Sequence, residues 1–360
     1  MKILTVVGAR PQFVKAAALS RAFSNYAEIQ EKIVHTGQHY DENMSEIFFR
    51  EMDIPTPHYH LNINGLSHGA MTGQMLEGIE KIIQTEVPDI VLVYGDTNST
   101  LAGALAAKKL HIQVAHVEAG LRSFNNKMPE EINRILTDRI SDYLFCPTKA
   151  AVDNLNKEGF KNFDCQIVKT GDVMEDAAMY YAKKAAAKSS IIQNLKLQDS
   201  RFILATIHRA ENTDVPERLS QIIKVLEEVN QRYPVVMPIH PRTRKILQQQ
   251  NIAPSFMMID PVGYFDMIML LKNCHIVLTD SGGLQKEAYF FNKFCITLRE
   301  QTEWVELVEH GYNALAGKDF NSISTEVEEF SKKEFIKKSK LYGGGKATIR
   351  IADFIVNQAR

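Results

Sequence analysis

Short apolar segments alternate with longer amphipathic ones along this chain, and they do so in two successive series. In the first half the apolar runs are 3–7, 32–36, 90–94, 113–117 and 143–146, with helical patterns such as 71–85 and 97–110 between them. In the second half they are 202–207, 235–239, 257–259, 276–279 and 294–298. Strands separated by helices pair in parallel, and parallel sheets are covered by helices on both faces. The expected fold class is therefore α/β: two Rossmann-like, doubly wound parallel-sheet domains facing a cleft. At 360 residues the chain is long enough for two cores. The break falls near Lys169-Thr170-Gly171-Asp172, which sets the expected domains at 1–169 and 170–346. The stretch 177–188 reads as a long linker helix. After Gly343-Gly344-Gly345 an amphipathic helix over 347–360 is expected to pack back on the first domain.

Net charge is -1, with 24% charged residues and no block of Lys or Arg, which argues against nucleic acid or an anionic membrane as partner. Apolar runs stop well short of the roughly 20 residues that span a bilayer. The N-terminus runs straight into a strand and does not read as a signal peptide. Cys146, Cys165, Cys274 and Cys295 show no Cys-x-x-Cys spacing. They read as reduced, buried thiols of a cytoplasmic protein, without disulfide or zinc.

In open α/β sheets ligands bind outside the carboxyl ends of the strands, so chemistry is sought there. The run 112–117 ends in His116-Val117-Glu118-Ala119-Gly120-Leu121-Arg122, followed by Pro129-Glu130-Glu131-Ile132-Asn133-Arg134. A neighbouring end carries Gly95-Asp96-Thr97, where Asp96 has a competing reading as a helix cap. Side-by-side carboxylates push their pKa values apart and can divide acid and base roles. Glu130 and Glu131 equally suit the first turn of a helix opened by Pro129, and Arg122 and Arg134 could neutralise the cluster. The first strand ends in Gly8-Ala9-Arg10-Pro11-Gln12, with Lys15 in the helix that follows. A glycine turn, a helix start and an Arg make an anion site. The pattern is not Gly-x-Gly-x-x-Gly, so a nicotinamide cofactor is not indicated. For His35, Gln38, His39 and Asp41, after the second strand, structural and ligand-binding readings stand level.

The second series ends in a different chemistry. His208-Arg209 and His240-Pro241-Arg242 follow two of its strands, and Asp280-Ser281-Gly282-Gly283-Leu284-Gln285-Lys286-Glu287 follows a third. Ser-Gly-Gly opening a helix offers backbone N–H groups to a diphosphate, and Glu287 is placed to accept from ribose hydroxyls. The first domain thus supplies carboxylates and the second supplies anion-binding groups.

With these motifs assembled, the chain resembles the non-hydrolysing UDP-N-acetylglucosamine 2-epimerase family over essentially its whole length. Gly8–Gln12, Tyr94-Gly95-Asp96-Thr97, the Glu118 and Glu130 motifs, His208-Arg209, His240-Pro241, Asp280–Glu287 and Tyr342-Gly343-Gly344-Gly345-Lys346-Ala347 match its patterns in order. The resemblance implies the GT-B fold with the active site in the interdomain cleft. It further implies a homodimer, and a reaction without metal or other cofactor. UDP is eliminated from UDP-N-acetylglucosamine to give 2-acetamidoglucal, and is added back after C2 is reprotonated from the other face, giving UDP-N-acetylmannosamine for surface polysaccharide synthesis. Asp96, Glu118, Glu130 and His208 match the catalytic residues. Arg10, Lys15, Arg122, Arg134, Arg209, His240, Ser281, Gly282, Gly283 and Glu287 match the substrate-binding ones.

The chain departs from many bacterial members at Ala210, where they have a second Arg, and at Tyr40, where they have Arg. Both changes fall where those members bind a second, activating UDP-N-acetylglucosamine. Thr302-Glu303-Trp304-Val305-Glu306 stands where they read Thr-Glu-Arg-Pro-Glu. This variant resembles the branch acting on UDP-2,3-diacetamido-2,3-dideoxyglucuronate in O-antigen synthesis; plain core packing is the competing reading of Trp304. A hydrolysing relative, a GT-B glycosyltransferase and a non-catalytic nucleotide-sugar sensor are the alternatives.

Overall fold

A computed structural model of the chain describes residues 1–38, 54–318, 320–337 and 339–358. The Arg10 side chain and residues His39, Tyr40 and Asp41 lie outside what is described. The chain forms two compact units: Met1–Ala177 with Lys340–Arg360, and Ala178–Ser339. The helix Val173–Lys188 carries the chain from one to the other, with the boundary at Ala177 against an expected 169, and the return at Lys340 against an expected 347.

The first unit holds a parallel sheet of seven strands: β1 (Lys2–Val7), β2 (Gln30–His35), β3 (Tyr59–His60), β4 (Ile90–Tyr94), β5 (Gln113–Val117), β6 (Tyr143–Cys146) and β7 (Gln166–Lys169), in the order β3-β2-β1-β4-β5-β6-β7. The second holds β8 (Ile203–Thr206), β9 (Val235–Pro238), β10 (Met257–Ile259), β11 (Ile276–Thr279), β12 (Phe294–Thr297) and β13 (Asn313–Leu315), in the order β10-β9-β8-β11-β12-β13. Both are doubly wound, as the alternating pattern requires. The central strands are apolar along their whole length because both faces are covered: every residue of β4 and of β11 is buried. The short edge strands β3, β7 and β13 escape the sequence reading, because they lack the continuous apolar run that marks a central strand.

Each sheet reverses its winding direction beside its first strand. β1 pairs with β2 on one side and β4 on the other; β8 pairs with β9 and β11. Loops leaving strands on either side of such a switch diverge and open a crevice at the carboxyl edge. The residues singled out in sequence therefore gather at two places: Gly8–Lys15 with Asp96 and Glu118, and His208 with Asp280–Gly283.

The C-terminal helix Ala347–Gln358 packs on the first unit. Phe354 meets Tyr143 and Phe145 edge-on, with ring centroids 5.3 and 5.4 Å apart. Its N-terminal N–H groups are orphans of helical geometry, and acids from the first turn of Val173–Lys188 satisfy them. Asp176 accepts from Ala347 N and Thr348 N at 3.1 and 3.0 Å, and Glu175 from Gly344 N and Gly345 N at 2.7 and 3.1 Å. Here two backbone segments touch. Gly171 has φ +98, and a Cβ on it would lie 2.5 Å from the Tyr342 carbonyl oxygen. Gly171→Ala is thus expected to lower stability by more than about 2 kcal/mol, combining left-handed strain with a backbone collision. Urea denaturation followed by circular dichroism checks this; an unchanged midpoint refutes it.

Candidate active site

In the first unit the strand ends are tied before any ligand group is placed. Gln12 accepts from Gly8 N and Ala9 N at 2.8 and 3.0 Å and donates to Tyr94 O at 2.8 Å, joining the ends of β1 and β4. His116 is fully buried; its Nε2–H donates to Gly95 O at 2.8 Å and its Nδ1 lies 2.7 Å from Asp138 Oδ1. Asp138 also accepts from Gly120 N at 3.1 Å and Arg122 Nη1 at 2.7 Å. Burial opposes ionisation of Asp138, and the hydrogen bond from His116 and the charge of Arg122 outweigh it, holding the carboxyl below the usual range. Asp138 does not stand out in the sequence, whereas His116 does, as the first ionisable group of the cluster at the end of β5, though no role is assigned to it there. The signal was there in His116, a histidine inside an apolar strand.

Glu118 then leaves β5 with φ +74, a left-handed conformation that costs a non-glycine residue roughly 1–3 kcal/mol. The Phe145 carbonyl holds it there, accepting from both Glu118 N and Ala119 N at 3.1 Å. The turn directs the Glu118 carboxylate onto buried Lys15, 2.8 Å away. Asp96 is not the helix cap; Thr97 is, accepting from Thr100 N. The Asp96 carboxylate meets Arg134 at 2.6 Å instead, and Arg134 also pairs with Glu131 at 2.6 Å. Burial raises the Asp96 pKa, the charge of Arg134 pulls it back, and Glu118 pushes it up again. Three carboxylates thus share two cations, and Asp96 and Glu118 stand in unlike surroundings.

The remaining first-unit residues divide. Glu131 is structural: it accepts from Ser123 N and Phe124 N and holds that loop. Glu130 stands exposed on the first turn of Pro129–Ile140, with no hydrogen bond or ion pair to another described residue. Arg122 is buried and committed to Asp138, Glu158 and the Leu121 carbonyl, which makes it a structural cation in this unit. His35 stacks on Phe13 and lies beside His60; burial, then His60, lowers its pKa to about 4. It is a neutral core histidine. Gln38 is a bracket, accepting from Ser99 N and Oγ at 3.1 and 2.8 Å.

In the second unit Asp280 is the hub. It is fully buried and accepts from His208 N, Arg209 N and Asn212 Nδ2, each at 3.0 Å. Its other oxygen lies 3.0 Å from His208 Nδ1. Burial opposes its ionisation, and the bonds from His208, Arg209 and Asn212 outweigh it, so its pKa is lowered. Ser281 caps the helix Gly282–Phe290, leaving the Gly282 and Gly283 N–H groups at a positive dipole end. A Cβ on Gly282 would collide with Glu303 Oε1 and lie 3.9 Å from Arg209 Nη2. Glu303 pairs with Arg299 at 2.9 Å. Trp304 is buried; its Nε1–H donates to Gly282 O at 3.0 Å, and Lys286 Nζ stands 4.0 Å from the ring centroid. Glu287 is largely buried and accepts from Tyr264 O–H at 3.3 Å. His240 caps Pro241–Gln249, its Nδ1 accepting from Arg242 N at 3.2 Å.

Because burial disfavours the Asp96 carboxylate, ionising it costs folded-state stability. Its raised pKa means the folded protein binds the proton more tightly, so stability is lost as pH rises through the carboxylate range. Asp96→Asn, which mimics the protonated form, is expected to melt at a higher temperature than the wild type at pH 7. The gap should shrink as pH falls through that range. Scanning calorimetry from pH 7 to pH 4 decides; a variant less stable at pH 7 contradicts the assignment.

The chain is similar to known proteins over nearly its whole length. The model of the family described as UDP-N-acetylglucosamine 2-epimerase matches residues 21–356. The chain is 54% identical over 356 residues to the UDP-2,3-diacetamido-2,3-dideoxy-D-glucuronate 2-epimerase of Pseudomonas aeruginosa, covering 99% of each. It is 44% identical to the UDP-N-acetylglucosamine 2-epimerase of Methanocaldococcus jannaschii, covering 98% of each. The crystal structure of the Methanocaldococcus jannaschii UDP-GlcNAc 2-epimerase in complex with UDP-GlcNAc and UDP superposes with a TM-score of 0.88 at 42% identity, over 99% of this chain and 100% of that one.

Proposed function

The chain belongs to the UDP-N-acetylglucosamine 2-epimerase family, and we propose that it inverts C2 of UDP-2,3-diacetamido-2,3-dideoxy-D-glucuronate. The observation that carries this choice of sugar is the 54% identity to the Pseudomonas aeruginosa enzyme across both chains, against 44% to the Methanocaldococcus jannaschii one. A second reading, UDP-N-acetylglucosamine to UDP-N-acetylmannosamine, is favoured by the UDP-GlcNAc bound in the Methanocaldococcus jannaschii structure. Either sugar serves surface polysaccharide synthesis.

C2 carries an unactivated proton, so its removal needs a well-placed base and a stabilised leaving group. The Asp96, Glu118 and Glu130 carboxylates are assigned to C2, one removing the proton and another returning it on the opposite face. As the proton leaves, the C1–O bond breaks with its electron pair going to UDP, and a glycal remains. UDP adds back once C2 is reprotonated. Asp96 pairs with Arg134 where burial resists its ionisation, and Glu118 pairs with Lys15; unlike surroundings of this kind suit a division of acid and base roles. Arg10, Arg209, the N–H groups of Gly282 and Gly283, and Ser281 are assigned to the diphosphate, with His208 offsetting its charge as it departs. Glu287 is assigned to the ribose, and His240 to the nucleotide. In the same reading the enzyme is a cytoplasmic homodimer; no helix among the described residues is long and apolar enough to cross a membrane.

Incubation of each UDP-sugar in D2O, followed by NMR, tests the reaction. Deuterium at C2 with a C2-epimeric nucleotide product is expected for the diacetamido-glucuronate. Exchange with UDP-N-acetylglucosamine alone transfers the assignment to the second reading, and exchange with neither sinks both. Glu118→Gln is expected to reduce turnover by roughly a thousandfold, the scale of lost acid–base catalysis, with UDP affinity nearly intact. Ser281→Ala combined with Glu287→Ala should instead weaken UDP binding, measured by calorimetric titration.

A further inference from the structure

We propose that Asp280 is a positioning residue that fixes which nitrogen of His208 carries the proton, and that Asn212 and Arg218 hold Asp280 in that role. The role of His208 at the departing diphosphate rests on the reading above; the tautomer does not.

The argument is one of counting donors. Asp280 Oδ2 receives His208 N, Arg209 N and Asn212 Nδ2 at 3.0 Å each, while Oδ1, which His208 N also approaches at 3.2 Å, lies 3.0 Å from His208 Nδ1. An ionised carboxylate only accepts, so His208 Nδ1 must carry a hydrogen. Backbone and ring of the same residue are held by one carboxylate, which fixes the orientation of the ring as well as its tautomer. The burial contrast agrees: the Asp280 side chain is 0% exposed, whereas that of His208 is 46% exposed. Nε2 is therefore the nitrogen offered to a ligand. It presents a lone pair in the neutral ring and an N–H in the cation.

Behind Asp280 stands a second layer. Asn212 is fully buried, and its Nδ2 donates to Asp280 and to the Leu298 carbonyl, both at 3.0 Å. Its Oδ1 accepts from Arg218 Nε at 2.8 Å, which fixes the amide against flipping. The Arg218 guanidinium lies over the Phe320 ring, 4.7 Å from its centroid. The chain Arg218–Asn212–Asp280–His208 runs from a core aromatic to the exposed ring.

Asp280→Asn isolates the effect. Three donors converge on Oδ2, so the amide oxygen must take that place and the amide NH2 must face Nδ1. The ring then has to accept at Nδ1, its proton passes to Nε2, and the cation is disfavoured because Nδ1–H would meet another donor. The experiment is 15N NMR of histidine-labelled full-length protein, with steady-state kinetics and UDP titration. In the wild type the neutral His208 ring is expected as the Nδ1–H tautomer, and in Asp280→Asn as Nε2–H. The variant should lose at least about a hundredfold in kcat, toward the roughly ten-thousandfold known for a wrong-tautomer histidine, while UDP affinity stays nearly intact. In a His208→Ala background, Asp280→Asn should change kcat by less than about threefold, because residues acting through one another are not additive. An Nε2–H tautomer in the wild type overturns the proposal even if the variant fails to fold, and so does an additive double-mutant cycle. A wild type that exchanges C2 with neither sugar overturns the reaction instead, since the tautomer is read without substrate.

Discussion

A parallel sheet ends each strand with backbone N–H groups that have left the ladder and are still buried, and every other feature of the two sites follows from how these are satisfied. In each unit a fully buried aspartate does it. Asp138 collects Gly120 N, His116 and Arg122; Asp280 collects His208 N, Arg209 N, Asn212 and the His208 ring. A buried carboxylate is costly unless its acceptor sites are filled by well-placed donors. Its presence therefore fixes the geometry of everything that donates to it. Neighbouring residues inherit that rigidity: Glu118 through the β5 turn, and His208 directly.

The same logic separates groups that hold the fold from groups free to work. Glu131 and Arg122 belong to the acidic motifs but are bonded internally, whereas Glu130 and the Nε2 edge of His208 have no hydrogen-bond partner among the described residues. Glu118 lies between these extremes. Its left-handed backbone is a cost that the Phe145 carbonyl and Lys15 offset, and such strain persists where surroundings over-determine it. Asp96 adds a second local cost, since burial disfavours its charge. Local destabilisation is thus concentrated at two carboxylates of one strand-end cluster.

Much of this was legible in the residue order. Central strands announce themselves through unbroken apolar runs, and a strand's carboxyl end is where ligand groups stand in such sheets, so Asp96, Glu118, His208 and Ser281 could be named. What escaped was pairing over long sequence separation. Nothing local links Asp138 to His116, Gln12 to Tyr94, or Asn212 to Asp280; those contacts exist only once the strands are in register. Edge strands escaped for a related reason. Two to four residues exposed on one side carry no periodic signal, so Tyr59–His60 and Asn313–Leu315 read as loop. The same exposure to context undid the level readings of His35 and Gln38, which the fold turns into packing and bracing.

Trp304 shows how a variant motif position is bound into the core. Its indole is buried and its one polar atom donates to the Gly282 carbonyl, so the core-packing reading is right about its surroundings. That carbonyl belongs to the turn whose N–H groups are assigned to the diphosphate. Lys286 covers the ring, Thr302 bonds Gln285 at 2.7 Å, and Glu303 beside Gly282 stands near Arg209. Replacing an arginine and a proline by tryptophan and valine thus changes what braces the anion turn from below: a flat apolar wedge with one donor in place of a charge and a locked φ.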